Sequence, residues 1–474
     1  MTVRLVLALC LFAVTPALAQ PAPAPKQAPQ PAAKAAPGDD MAAFETEINA
    51  LFVTGGLTAE QAAGRAAKVS PTVARRVAEV QAAIASQQSA ELTRVPVIGG
   101  KASYTKLSPI DPVSFGMGLP PIPIPGQSYS LEGQIVFPLS DYLLRFPKVI
   151  DSTRYGVDAA RTNQVSSEIN AAQEARVAYY EWVRSRLQVI VAERQYSQVE
   201  SALKQVRALA DAQRLSKADL MRVESNEAEA ARELDQLRYL SALREEQLRL
   251  LIGASTDEKL EVGEEARAEV TPPPPAGLDD LMRVATTKRL EFRAIDFAIK
   301  AREKQREAEK ANLMPRLSAF ATANYANPNP RIFPQKDQFD FTWQAGVQLS
   351  WTLNDTLQSR ATQRRIAAET NELRADREAL LLGTRIEVLS AEQGVRTAQL
   401  ALATTQKGLA AATEGYRVRR ELLNADRATA VELVDSETDL TRARIAALNS
   451  RVNLRIAIAA LAHALGNDTP SPSR

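Results

Sequence analysis

A chain of 474 residues that is 24% charged and 45% hydrophobic has the chemistry of a water-exposed protein rather than of a bundle of membrane-spanning helices. With 58 Lys and Arg against 56 Asp and Glu, its net charge of +2 provides no field for wholesale nucleic-acid binding. One histidine and one cysteine leave too few ligands and nucleophiles for a zinc site, a thiol catalyst or a disulfide framework.

At the start of the chain, Arg4 precedes an apolar run from Leu5 to Val14, and Ala17, Leu18 and Ala19 form a small-residue cleavage site before Gln20. This is the pattern of a cleaved secretory signal over residues 1–19, and the run is about half of what a bilayer-spanning helix needs. Cleavage there removes Cys10, so the mature chain carries no cysteine to take a lipid anchor. Residues 20–56 read as a flexible leader rich in Ala, Pro, Gln and Lys, followed by a short helix from Met41 to Val53 that ends at Gly55 and Gly56. Thr58 with Gln61 then forms a capping-box signature, opening a longer helix that continues to about Leu92.

Proline placement organises the rest. None occurs between Pro147 and Pro272, nor between Pro334 and Pro470, and helix interiors exclude proline because it lacks a donor and clashes with the preceding turn. These intervals are predicted to be long helical hairpins. In the first, Val177, Val183, Leu187, Val191, Val199, Leu203 and Val206 recur mostly at helical spacing between polar residues, as in a coiled coil. A break near Leu215-Ser216-Lys217 separates it from a returning helix that Ser216 caps and Gly253 stops. The second breaks near Asn424-Ala425-Asp426 and stops at Gly466. The first helix, from about Phe146 to Gln213, would reach about 100 Å at 1.5 Å per residue.

The two halves repeat one plan. Helix, strand, Pro-rich loop, strand, long helix, break and shorter helix run over residues 57–253 and again over 278–466, joined by the linker 254–277 and followed by a tail, 467–474. Phe137-Pro138-Leu139-Ser140-Asp141 matches Trp351-Thr352-Leu353-Asn354-Asp355, Pro96 matches Pro315, and Leu251-Ile252-Gly253 matches Ala464-Leu465-Gly466.

Strands are predicted at about 97–107, 128–139, 316–325 and 339–353. In the last, every odd position from Phe339 to Leu353 is apolar, while the even positions are Asp340, Thr342, Gln344, Gly346, Gln348, Ser350 and Thr352. A strand crossing an outer membrane alternates in this way, apolar toward lipid and polar toward a wet lumen, with aromatics near the interfaces. Tyr129, Phe137, Phe341, Trp343 and Trp351 are the candidate membrane-facing aromatics. A soluble sandwich strand shares the alternation, but the chain carries an export signal and offers no second set of strands to face this one. Four strands are too few to close a barrel, because open edges are intolerable in lipid, so the chain is expected to oligomerise. The fold class is thus mainly α with a small β part.

These features carry a resemblance. The duplicated unit, Leu57-Thr58-Ala59-Glu60-Gln61-Ala62, Asn312-Leu313-Met314-Pro315-Arg316-Leu317, Gln348-Leu349-Ser350-Trp351-Thr352-Leu353 and the Leu-Gly endings resemble the TolC-like outer membrane efflux family over Leu57 to Gly466. The resemblance implies a homotrimer with a twelve-stranded barrel and a twelve-helix periplasmic tunnel, docked to a periplasmic adaptor and an inner-membrane pump or exporter. It implies export of small molecules or proteins, with no cofactor. It also implies an acidic gate on the helix after the second break, where the matching residues are Glu432 and Asp435; threefold symmetry would make each a ring. Solvated charges on a helix rich in Asp and Glu are the alternative.

The adaptor-docking tips are expected at Arg214, Leu215, Ser216 and Lys217 and at Asn424, Ala425, Asp426 and Arg427. They depart from the Val-Gly-Leu common in the family. No phosphate loop, nucleophile elbow or HExxH motif occurs, and His463, the sole histidine, sits near a helix end, so no enzyme activity is expected. The competing class is a periplasmic coiled-coil adaptor or envelope spacer without a pore.

Overall fold

The computed structural model describes residues 46–108, 125–213, 216–265, 268–274, 276–425 and 427–468. The described residues open on a short helical stretch, 46–49, and a strand follows. β1 (Phe52–Leu57) lies against the linker, with Leu57 N–H donating to the Glu261 carbonyl at 2.8 Å and Gly263 N–H donating to Leu57 at 2.8 Å. A Cβ on Gly263 would fall 2.1 Å from the Gly56 oxygen, so the two backbones meet only because both residues are glycine. The expected helix is therefore present over 46–49 but does not run through to Val53, because Phe52, Val53 and Thr54 favour extended backbone once a partner strand is supplied.

The helix after Thr58 is two helices, α1 (Ala59–Val69) and α2 (Pro71–Leu92). Thr58 and Gln61 close the capping box at 3.2 and 3.0 Å. Pro71 then opens α2, where its missing N–H costs nothing, and forbids Ser70 a helical conformation. β2 (Val97–Lys106), β3 (Gln127–Phe137), a short helix α3 (Leu139–Leu144), the long α4 (Phe146–Asp211) and the returning α5 (Lys217–Ile252) complete the first half. The second half has α6 (Leu278–Lys288), α7 (Leu290–Lys310), β4 (Arg316–Asn327), β5 (Asp340–Ser350), α8 (Leu353–Asn424) and α9 (Ala430–Ala464). Strands β3 and β5 stop short of Leu139 and Leu353 because those residues already open helices.

Both halves share a closing contact. Gly253 and Gly466 take left-handed backbone, φ +64° and +67°. A Cβ on Gly253 would sit 2.5 Å from Val69, beside the α1/α2 break, and one on Gly466 would sit 3.0 Å from Arg289, at the α6/α7 break. Each repeat therefore seats its terminal glycine in the kink of its own first helix pair.

The strands form one antiparallel sheet, ordered β2-β3-β4-β5. Its register aligns Ile98 with Ile135, Leu131 with Tyr325, Ala323 with Trp343 and Leu317 with Leu349. The helices follow the same lateral order. Above the mid-region α2, α4, α7 and α8 are neighbours, and toward the hairpin tips the order is α5, α4, α9, α8. One side of the chain thus ends in β2, α2 and α5, and the other in β5 and α8.

Packing is densest where α4 meets its neighbours, burying Tyr179, Trp182, Val183 and Leu187. Glu264 ties that region to the linker: its carboxylate accepts from Ala59 N–H (3.3 Å), the Tyr180 hydroxyl (3.1 Å) and Arg455 (2.7 Å). Burial, with Glu264 close by, pushes the Tyr180 hydroxyl up to about 12. From Val431 to Ala464, α9 is long and apolar enough to cross a membrane by composition, yet it packs against α4 and α8. It keeps Glu432, Asp435, Asp439 and Arg442 on its exposed face.

Candidate channel site

Period-two alternation in the strands becomes a two-faced sheet. One face carries Ile98, Ala102 and Tyr104, then Tyr129, Leu131, Ile135 and Phe137, then Leu317, Ala319, Ala321, Ala323 and Tyr325, then Phe341, Trp343, Val347 and Leu349. The other carries Lys101, Ser103, Glu132, Gln134, Thr322, Asn324, Thr342, Gln344 and Gln348. Phe320 is an apolar residue on the polar face, lying over Gly346, where a Cβ would meet its ring at 3.3 Å.

The apolar face is open to the outside, with Trp343 exposed at 68% and Val347 at 71%. A soluble sheet would bury it. All five candidate aromatics, Tyr129, Phe137, Phe341, Trp343 and Trp351, are exposed. Near the loop end, Tyr104 lies tilted against Tyr129 (5.0 Å between ring centres) and Tyr325 stacks on Phe339 (5.2 Å), so aromatics from all four strand regions gather at one level. Phe137 and Trp351 mark the opposite end. Phe341 and Trp351 are ten residues apart, about 34 Å along a strand and about 25 Å in height at the usual barrel tilt, which is the thickness of an outer-membrane apolar band.

At the far end of the hairpins, Ser216 caps α5 by accepting from Asp219 N–H at 3.1 Å, and Lys217 is the first residue of that helix. Gln213, just before, has left-handed backbone, φ 56°. Asn424 ends α8, Ala425 caps it, and Arg427 N–H donates to Leu422 at 2.8 Å to fold the second tip back. Arg214, Leu215 and Asp426 lie outside the described residues.

The two gate candidates have defined partners. Glu432 closes a capping box with Thr429 at 3.1 and 3.2 Å and lies 3.4 Å from Arg419 of α8. Asp435, on the same face, accepts from Arg222 of α5 at 3.0 Å, an ion pair that bridges the two hairpins. Asp439 follows and accepts from Arg442 at 2.8 Å. The stripe is therefore a ladder of three carboxylates, each beside its own arginine, rather than a row of bare negative charge.

Sequence reasoning missed a fourth carboxylate. Glu437 is 4% exposed and lies on the inward stripe of α9 with Val434, Thr441, Arg444 and Leu448. Burial pushes its carboxyl above the ordinary carboxylate range, against the opposing pull of a Tyr416 hydrogen bond and of Arg444, Arg194 and Arg420. Oε1 has no hydrogen bond among the described residues. Burial likewise raises the Tyr416 hydroxyl. The signal was present in the 434, 437, 441, 444, 448 spacing, which places an acid and an arginine on the same helical stripe as Val434 and Leu448. No group of His, Cys, Asp and Glu among the described residues has the arrangement of a metal site.

Comparison with known proteins fits this geometry. The sequence model for outer membrane efflux proteins matches residues 281–467, the second repeat. No curated protein matches the chain. Among solved structures, the chain is similar to the CmeC outer membrane channel of Campylobacter jejuni (11% identity, TM-score 0.71, covering 90% of this chain and 87% of that one). It is also similar to the outer membrane protein VceC of Vibrio cholerae (16%, TM-score 0.67, 90% and 96%) and to the open-state MtrE outer membrane channel of Neisseria gonorrhoeae (15%, TM-score 0.70, 86% and 88%). At these identities the structures speak for the fold alone, and the sequence match covers less than half of the chain. The chain thus resembles outer membrane efflux proteins in sequence over its second repeat, and shares the fold of the solved outer membrane channels across its described length.

Proposed function

We propose that three copies of the chain close a twelve-stranded barrel in the outer membrane and a twelve-helix tunnel in the periplasm, exporting small molecules or proteins within a tripartite efflux or type I secretion system. The observation that carries this is the sheet: four strands, apolar on one exposed face and polar on the other, with β2 and β5 left as edges. Such edges are untenable in lipid unless another copy pairs with them. The helical edges support the same closure. Tyr239, Leu243 and Leu250 on α5, and Leu382, Ile386, Leu389 and Leu400 on α8, are exposed apolar residues on the two flanks where a neighbouring copy would join.

Within this reading residues 1–19 are the cleaved export signal, and the hairpin tips around Ser216, Lys217, Asn424, Ala425 and Arg427 meet a periplasmic adaptor linked to an inner-membrane pump. Glu432 and Asp435 line the periplasmic constriction, with Arg419 and Arg222 as the counter-charges that hold it closed. Insertion of purified protein into planar bilayers tests the reading. It is expected to give discrete conductance steps; protein that integrates but never conducts, or never integrates, refutes it.

A further inference from the structure

The corner where the sheet passes into the helices inverts the usual polarity of a surface helix. α3 has six residues, too few to be stable alone, and it is held by its polar side. The Ser140 hydroxyl accepts from Leu317 N–H at 3.2 Å at the base of β4, the Tyr142 hydroxyl donates to the Arg94 carbonyl just before β2, and Asp141 is buried. What remains outward is apolar: Leu139 and Leu144 are exposed, and Leu143 is 82% exposed. Leu139 and Leu143 are one turn apart and share a side. Met314, at the corner into β4, is exposed as well, and beyond it lie Leu317 and Phe137 of the sheet's apolar face. The apolar surface therefore continues past the end of the strands.

Two arginines border it. Arg145 follows α3 and lies 3.8 Å from Asp141; Arg316 opens β4 and donates to Asn312 at 2.8 Å through one nitrogen, leaving other donors outward. All of this belongs to β3 and β4, the inner strands, so a neighbouring copy joining at β2 or β5 would not cover it.

We infer that this rim is a second membrane contact, in which α3 and Met314 lie at the headgroup boundary of the periplasmic leaflet while Arg145 and Arg316 meet the phosphates of anionic phospholipid. The inference rests on the barrel reading above. A short apolar ledge with cations beside it is the arrangement that side chains adopt at a membrane–water boundary. It would fix the depth of the barrel and resist piston-like movement when the tunnel is loaded from below.

Because Cys10 is the sole cysteine and lies in the expected signal, single cysteines can carry spin labels. The variants are Leu143→Cys, Val347→Cys on the apolar face, Gln348→Cys on the polar face and Lys217→Cys at a tip, in vesicles of phosphatidylethanolamine and phosphatidylglycerol. The label at 347 is expected to be deep and oxygen-accessible, the labels at 348 and 217 accessible to a water-soluble nickel chelate, and the label at 143 oxygen-accessible at shallow depth. A 143 label as chelate-accessible as the 217 label, with 347 still deep, overturns the ledge and leaves the barrel standing. If 347 is itself open to the chelate, the barrel reading fails and the ledge with it. Arg145→Gln with Arg316→Gln is expected to lower retention of phosphatidylglycerol over phosphatidylethanolamine by about fivefold per arginine, read by mass spectrometry of co-purified lipid. An unchanged ratio removes the anionic-lipid part.

Discussion

A carboxyl in the position of Glu437 has an energetic consequence fixed by its surroundings. Its folded-state proton affinity is raised by burial, so the folded protein holds a proton over a pH range in which the unfolded chain has released it. Stability is therefore expected to fall as pH rises from the ordinary carboxylate value through the raised one. Glu437→Gln abolishes that titration, and its thermal midpoint in detergent should lack the decline that the parent protein shows; parallel curves for the two would show that Glu437 is not the group responsible. At the ladder beside it, Arg222→Gln leaves Asp435 without its cross-hairpin partner. The expected result is higher single-channel conductance and stronger cation selectivity than in the parent, while Asp435→Asn raises conductance and weakens selectivity. Unchanged conductance in both would remove these residues from the gate. Positions 432 and 435 were singled out from spacing and resemblance. Their arginines were not, because Arg222 and Asp435 are 213 residues apart and meet only where α5 and α9 both pack on α4.

Among the elements, β5 ends earlier than its sequence pattern, but the division of its residues between two faces follows that pattern, since period two in a strand leaves only one way to make it. The division predicts an asymmetry. Val347→Arg puts a charge at mid-height on the apolar face, costing about 2–4 kcal/mol in lipid, and should lower the yield of outer-membrane protein; Gln348→Arg, its polar-face neighbour, should assemble normally. Equal assembly of both would contradict the assigned faces. The helix breaks were less legible. Pro71 marks the first, though the Ala-rich run across it reads as one helix, and nothing local marks the second. Arg289 leaves helical backbone where Gly466 presses on it, with its guanidinium bonded to Glu387 at 2.6 Å, contacts made only once both helices of the second hairpin are in place. Gly466→Val should accordingly destabilise the fold by about 1–2 kcal/mol or more, from left-handed backbone plus the clash, and lower the thermal midpoint. A neutral effect would mean that the seat is not tight.

For the molecule as a whole, the lateral order of the helices repeats that of the strands, with β2, α2 and α5 on one flank and β5 and α8 on the other. That coincidence was only half visible in the duplicated sequence, which shows two equivalent units but not which helix ends up on an edge. It gives assembly its logic: one protomer is an open segment whose two flanks carry unpaired strand edges above and apolar stripes below. At the tips, Lys217→Glu with Arg427→Glu should diminish crosslinking to the periplasmic adaptor and slow export without altering bilayer conductance. Crosslinking that survives both reversals would place the adaptor elsewhere. The central claim is closure by three copies, and the most direct test is the mass of the purified protein from the outer-membrane fraction in detergent, with the bound detergent subtracted. The account predicts three chains per particle; a monomer or dimer that remains soluble once detergent is removed would contradict it and favour a coiled-coil spacer without a pore.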